Sequence, residues 1–246
     1  MTADDSTATV TAPESSGDIV DRLEQRILSR RAFLAGVGLG GVGGAGAVIG
    51  LTRSNAGTQS LATLAGGVTL PAGTRYYLPA VDSSDTGLVV AVDFEFTEGN
   101  GELFVNLNGV EVRHDLQLAL REAMETATRL TGSSLANTAT HVTFETPNSD
   151  ILALRGKSWE AGLTVALAAG LRQQPLTRET LITGIVDAEG ALLPVGGIKE
   201  KARAAQMFGA NKLLVPPADA VDVDVQGLRV IGVQSVADAV DRIFRL

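Results

Sequence analysis

The chain has 246 residues, enough for one good-sized domain or two small ones, with 45% hydrophobic residues and only 4% aromatic ones, the profile of a soluble globular protein. A formal net charge of −8 argues against nucleic acid as a partner, because phosphate binding needs a basic stripe. There are no cysteines, which excludes disulfides, thiol catalysis and zinc–thiolate sites, and two histidines, His114 and His141, are too few for a histidine-rich metal centre. No cofactor is expected.

Residues 1–28 are polar and acidic, rich in Ser, Thr, Ala and Asp, and are expected to be largely disordered with at most a short helix around Asp18 to Leu28. Residues 29–56 differ. Ser29-Arg30-Arg31-Ala32-Phe33-Leu34 is similar to a twin-arginine export motif, and an uncharged apolar run follows from Ala35 to Leu51. Ser54-Asn55-Ala56 offers a small-x-small cleavage site; without cleavage, the run from Ala32 is just long enough to anchor the chain in a membrane. Either outcome places the protein outside the cell or at its surface. Within this run Gly38-Leu39-Gly40-Gly41-Val42-Gly43 satisfies a dinucleotide fingerprint, but Arg30 and Arg31 stand where the preceding strand should be, so that reading is rejected.

Residues 57–75 read as a linker, and 76–246 as the globular domain. Tyr76 to Val81 is a short extended piece. Leu88 to Phe96 and Leu103 to Leu107 read as strands joined through Glu98-Gly99-Asn100-Gly101 into a hairpin. Helical spacing of Leu116, Leu120, Ala123, Ala127 and Leu130 predicts a helix from Asp115, its N-cap, to Leu130. A strand over His141 to Thr146 leads through Pro147-Asn148-Ser149-Asp150 to Gly156-Lys157-Ser158. This triplet imitates the end of a phosphate-binding loop, but Ile151 occupies the position where that loop needs glycine. Ala161 to Leu171 is almost wholly apolar and predicts a buried helix with Ser158 at its N-terminus. Lys201 follows Gly196-Gly197 at the start of a further helix. Lys212 to Val215, Leu228 to Val233 and a helix over Val236 to Phe244 close the domain as a strand-helix-strand-helix unit.

Between Gly156 and Pro216 the chain resembles the proteolytic domain of the Lon family, whose serine–lysine dyad lies in G-P-S-A-G and G-G-x-K-E-K motifs. Gly196-Gly197-Ile198-Lys199-Glu200-Lys201 matches the second motif, and Ile182-Thr183-Gly184 and Leu193-Pro194-Val195-Gly196-Gly197 match the segments between the two. The nucleophile motif departs from the family, and two registers compete. Glu160-Ala161-Gly162 laid on S-A-G places a glutamate at the nucleophile position and implies an inactive protein. Gly156-Lys157-Ser158 laid on G-P-S runs without a gap through Pro175 and Thr183-Gly184 to the catalytic lysine at Lys201, with Trp159 and Glu160 replacing Ala-Gly; it is the register adopted. Leu78-Pro79-Ala80-Val81 and Gly99-Asn100-Gly101 are similar to the upstream half of secreted or membrane-attached archaeal Lon-like proteases.

The resemblance implies an α+β fold shared with the second domain of a small-subunit ribosomal protein, preceded here by an export signal or membrane anchor. It implies a serine endopeptidase without its own ATPase segment, acting on unfolded or flexible polypeptides, and a homo-oligomer. A serine hydroxyl needs a base, and a lysine amine serves if its surroundings hold it neutral. Ser158 and Lys201 are the expected pair, with Thr183 hydrogen-bonded to the amine as the family's threonine is. The alternatives are that Ser158 is only an N-cap, Lys201 a solvated lysine, Thr183 a β-branched strand residue and Trp159 packing rather than a cleft wall. The chain would then be a catalytically inactive scaffold or peptide-binding module. A domain that cleaves its own N-terminal region would share the dyad but act in cis.

Overall fold

The computed structural model describes residues 70–108, 110–112, 114–146, 152–154, 156–221 and 223–244. The acidic N-terminal segment, the twin-arginine-type stretch, most of the linker and the Pro147-Asn148-Ser149-Asp150 segment lie outside these residues. No helix among the described residues is long and apolar enough to cross a membrane.

The main sheet has four strands, β1 (Thr74–Val81), β2 (Gly87–Glu98), β3 (Leu103–Asn108) and β5 (Thr138–Glu145), in the order β1-β2-β5-β3. The first two pairings are antiparallel and β5–β3 is parallel. Alternation is not what drives β1 and β2. Their central residues are buried on both faces, Tyr76, Leu78, Val90, Val92 and Phe94 among them, as expected of strands covered by helices.

The expected hairpin does not form. β2 and β3 follow each other through the Gly99–Gly101 turn, but β5 inserts between them and takes the pairing of both. Gly99 explains why. A Cβ there would lie 2.6 Å from both the Ala139 nitrogen and its Cβ, so the absent side chain is the space that β5 enters. The Gly99 N–H donates to Asn137 O at 3.2 Å and Thr140 N–H to Glu102 O at 2.9 Å, stitching β5 into the gap. Gly-Asn-Gly signals a change of direction, but not which strand becomes the neighbour.

Helix α1 (His114–Thr131) begins one residue before its expected start, which puts Asp115 inside the first turn rather than at the N-cap. Its buried stripe is Leu116, Ala119, Leu120, Ala123 and Ala127. Two short strands, β4 (Val110–Val112) and β6 (Leu152–Leu154), pair in parallel; β6 leads into the Ser158 turn through Gly156, whose φ of +87° is accessible to glycine at little cost. Helix α2 (Glu160–Arg172) is buried from Glu160 through Gly170. It packs on α1, β1 and β2, and Gly162 sits so close to Leu78 that an added Cβ would strike the leucine side chain.

The C-terminal half is a three-stranded parallel sheet, β11-β10-β7, of β7 (Thr180–Ile182), β10 (Lys212–Val215) and β11 (Arg229–Gly232). A small antiparallel hairpin, β8 (Ile185–Val186) with β9 (Leu192–Leu193), joins Thr183-Gly184 to Leu193-Pro194. Helix α3 (Ile198–Phe208) carries Lys201, and α4 (Val236–Phe244) has the expected bounds. A 3-10 turn over Pro217–Ala220 supplies the helical element between β10 and β11. The two sheets meet through Tyr76, whose buried hydroxyl donates to Thr180 O at 2.8 Å. The elements form the mixed α+β arrangement that the sequence implies.

Gly99→Ala tests the insertion of β5. The new methyl group meets the Ala139 backbone nitrogen and Cβ as well as the movable Glu102 carboxylate, so the variant should lose about 1–3 kcal/mol in urea unfolding.

Candidate active site

Ser158 lies in the turn two residues before α2 and is partly exposed, while the helix is capped by Trp159 without any side-chain hydrogen bond. The N-cap reading of Ser158 is therefore not realised. The turn is instead tied down through its backbone. Ser158 O accepts from Gly184 N–H at 3.1 Å and from the Thr183 hydroxyl at 3.3 Å, and Ala161 N–H donates to Gly184 O at 3.1 Å. Gly184 is closely surrounded: an added Cβ would lie 3.2 Å from Leu192 Cδ2, whose side chain would have to shift to admit it. Thr183 N–H donates in turn to Leu214 O at 3.1 Å, so the lashing reaches β10.

These bonds change one expectation and bear on the chemistry of the turn. Thr183 is buried beside the turn, but its hydroxyl donates to the Ser158 carbonyl rather than engaging the lysine amine. The first α2 N–H groups are also not all free to meet an oxyanion: Glu160 N–H is spent on Lys157 O and Ala161 N–H on Gly184 O. Among the described residues the N–H groups of Ser158 and Trp159 have no backbone partner, which leaves them as the donors nearest the hydroxyl. Trp159 is buried; its Nε1–H donates to Gly156 O at 2.8 Å and its ring meets Phe144 edge-on with centroids 6.0 Å apart. It packs and does not wall a cleft.

Lys201 is the fourth residue of α3 and is only 3% exposed. The bland expectation of a solvated lysine thus fails. Gly197, the N-cap, has a φ of +65° and lies where a Cβ would be 2.7 Å from Val81 Cγ2, so this glycine allows α3 to start hard against the end of β1. The small residues Ala202, Ala204 and Ala205 continue the buried face. Burial disfavours the ammonium and brings the Lys201 amine down to about 8, against a smaller opposing pull from Asp219. Asp219 itself accepts from Val195 N–H at 2.8 Å, tying the segment after β10 to the Leu193-Pro194-Val195 strand end.

Ser158 and Thr183 are thus joined directly. Lys201 stands on α3, with Asp219 as the charge acting on it, and among the described residues no hydrogen bond links its amine to the Ser158 hydroxyl. Catalytic hydrogen bonds in ligand-free sites are often long and tighten when substrate binds. No His/Cys/Asp/Glu group suited to a metal ion occurs among the described residues.

Sequence reasoning missed a charged cluster on the other side of the turn. Glu160, which opens α2, is 0% exposed; it accepts from Val186 N–H at 2.8 Å, and its other oxygen lies 3.3 Å from Lys157 Nζ. Lys157 also meets Glu122 of α1 at 2.6 Å. The signal was present as a glutamate heading an otherwise apolar helix.

At pH 7 the buried Lys201 should cost stability. Its folded-state value is depressed, so the stability associated with the neutral amine is fully present above about 10.5 and is lost as pH falls through about 8. That interval corresponds to roughly 3 kcal/mol. Lys201→Met should therefore be more stable than the parent at pH 7 by up to about 3 kcal/mol in urea unfolding, with the difference shrinking between pH 8 and 10.5.

Residues 83–243 match the family model for the Lon protease (S16) C-terminal proteolytic domain. Among similar proteins, the archaeal Lon protease of Methanocaldococcus jannaschii is 27% identical over 183 residues, covering 71% of this chain and 28% of its own length. The archaeal Lon protease of Halobacterium salinarum is 23% identical over 171 residues, 66% of this chain and 24% of that protein. A Lon protease of Heliobacterium modesticaldum reaches 39% identity over 66 residues, 26% of this chain and 8% of that one. The chain spans about a quarter of the length of the archaeal relatives it matches. With the family model covering most of the chain and the matched segments falling on the Ser158 turn, the Thr183-Gly184 strand end and the Lys201 helix, the chain belongs to the Lon proteolytic domain family.

Proposed function

We propose that this protein is a serine endopeptidase in which Lys201 is the general base for Ser158. The observation that carries the reading is the buried Lys201 amine, held close to neutrality at the last position of the G-G-x-K-E-K motif. A neutral amine takes the Ser158 proton as the hydroxyl attacks a peptide carbonyl; the carbonyl carbon becomes tetrahedral, and the Ser158 and Trp159 N–H groups meet the developing oxyanion. Lys201, now an ammonium, returns its proton to the leaving amine. An acyl-enzyme remains, and water activated by the same amine hydrolyses it. Thr183 acts through the backbone by holding the Ser158 carbonyl, with no proton-transfer role.

The substrates are unfolded or flexible polypeptides, which need no unfolding step before they reach the Ser158 turn. The twin-arginine-type segment at residues 29–56 supports export, with action at or beyond the cell surface. No metal or organic cofactor is needed for the steps above.

The test is hydrolysis of casein by the full chain without ATP, at low and high salt. Ser158→Ala should abolish turnover and Lys201→Ala should lower kcat by about 10²–10⁴-fold. In the parent, kcat/KM should rise with pH and level off above about 8, the range in which Lys201 loses its proton. An inert parent would favour the inactive scaffold reading, with the Trp159-Glu160 departure as its cause.

A further inference from the structure

The Lon family carries Ala-Gly after its nucleophile, whereas this chain carries Trp159-Glu160, and the second of these residues brings a carboxyl group into the protein interior. Its surroundings are specific. One oxygen accepts from Val186 N–H of β8 at 2.8 Å; the other has no hydrogen-bond partner and faces Lys157 Nζ at 3.3 Å. Lys157 precedes Ser158 directly, its carbonyl accepts from Glu160 N–H at 3.0 Å, and its amine is held by Glu122 at 2.6 Å. The turn that presents Ser158 is therefore clasped from two directions, by Thr183-Gly184 through backbone bonds and by Glu160, Lys157 and Glu122 through charge.

We propose that Glu160 is a positioning residue for the nucleophile: its ionised carboxylate, bonded to Val186 N–H and drawing in Lys157, holds the Ser158 turn against β8 and α1. The proposal rests on the proteolytic reading for its effect on rate, but the clasp itself is a property of the fold. Among the described residues, the charged side chains acting on Glu160 are Glu122 from α1 and Lys157 from the turn, while β8 contributes only its backbone N–H. Burial raises the carboxyl to about 7, reinforced by the facing Glu122, while Val186 N–H and Lys157 pull the other way. Glu122 is held down by its contacts with Glu160 and Lys157, and Lys157 is held up mainly by Glu122, while Glu160 is the fully buried member of the carboxylate pair. Once protonated, Glu160 gives its proton toward Glu122 and no longer holds Lys157 by charge.

Function and folding then oppose each other at this residue. Because the folded-state value is raised, the stability associated with protonated Glu160 is present below about 4.5 and is lost as pH rises through about 7. The ionised form is the less stable one and the one that fixes the turn.

Trp159, the only tryptophan in the chain, lies between Ser158 and Glu160 and reports on the clasp without any need for turnover. The fluorescence of the full chain should titrate with a midpoint near 7 in the parent and in Ser158→Ala, and the transition should vanish in Glu160→Gln. Lys157→Met, which leaves no new charge buried, should move the midpoint upward and lower kcat by about 10- to 100-fold with KM within about twofold. In casein hydrolysis, both Lys201 and Glu160 must be deprotonated, so below pH 7 log kcat/KM should fall with a slope approaching two in the parent and one in Glu160→Gln. A fluorescence transition that survives Glu160→Gln, a slope of two that persists in that variant, or a Lys157→Met enzyme with unchanged kcat would overturn the proposal. An inert parent with the fluorescence transition intact would sink the proteolytic reading and leave the clasp standing.

Discussion

Everything at the candidate site depends on the backbone lashing between the Ser158 turn and the end of β7. Two donors, Gly184 N–H and the Thr183 hydroxyl, converge on one carbonyl, that of Ser158, while Gly184 O takes the Ala161 N–H that would otherwise be an unpaired helix donor. The turn is held by the chain that follows the helix, not by the helix alone. β7 is paired with β10 and Thr183 N–H bonds to Leu214 O, so the position of Ser158 is referred to the core of the C-terminal sheet. Thr-Gly suits that strand end: the threonine supplies a hydroxyl, and the glycine leaves room for the side chains of Leu192, Ala161 and Pro216 around it.

Lys201 is buried by a separate set of contacts. Gly197 sits against Val81 and Gly87 against the Glu200 carbonyl, where a Cβ would collide, so α3 lies flush on the β1–β2 corner. The close approach is what buries the amine. Two ionisable groups, Lys201 on α3 and Glu160 on α2, are placed in the interior, both shifted toward neutrality by the loss of water. Each weakens the fold at pH 7, a usual mark of a site kept for chemistry rather than for stability.

Much of the C-terminal half was legible in the sequence. The apolar run from Ala161, the Gly-Gly before Lys201, and the Pro-bounded Lys212–Val215 strand each carry a local signal that agrees with the fold, and the bounds of the last helix follow from its spacing alone. The strand neighbours in the first half were not legible. Gly99-Asn100-Gly101 is compatible with a hairpin, and only the long-range fit of Ala139 against Gly99 turns it into a gap for β5. Nor did spacing reveal that the Thr183 hydroxyl faces a carbonyl instead of an amine, because strand periodicity gives a side and not a partner. Glu160 was visible as an oddity in an apolar helix, but its role needed β8 and α1 to be brought beside it.

The most direct test of the central claim, that Lys201 activates Ser158, is the pH dependence of labelling by a fluorophosphonate, which reacts with activated serines whatever the peptide substrate. The account predicts a single adduct on Ser158, located by peptide mass spectrometry, with a labelling rate that climbs with pH and levels off above about 8. Absence of an adduct, an adduct on another serine, or a rate indifferent to pH through that range would contradict it.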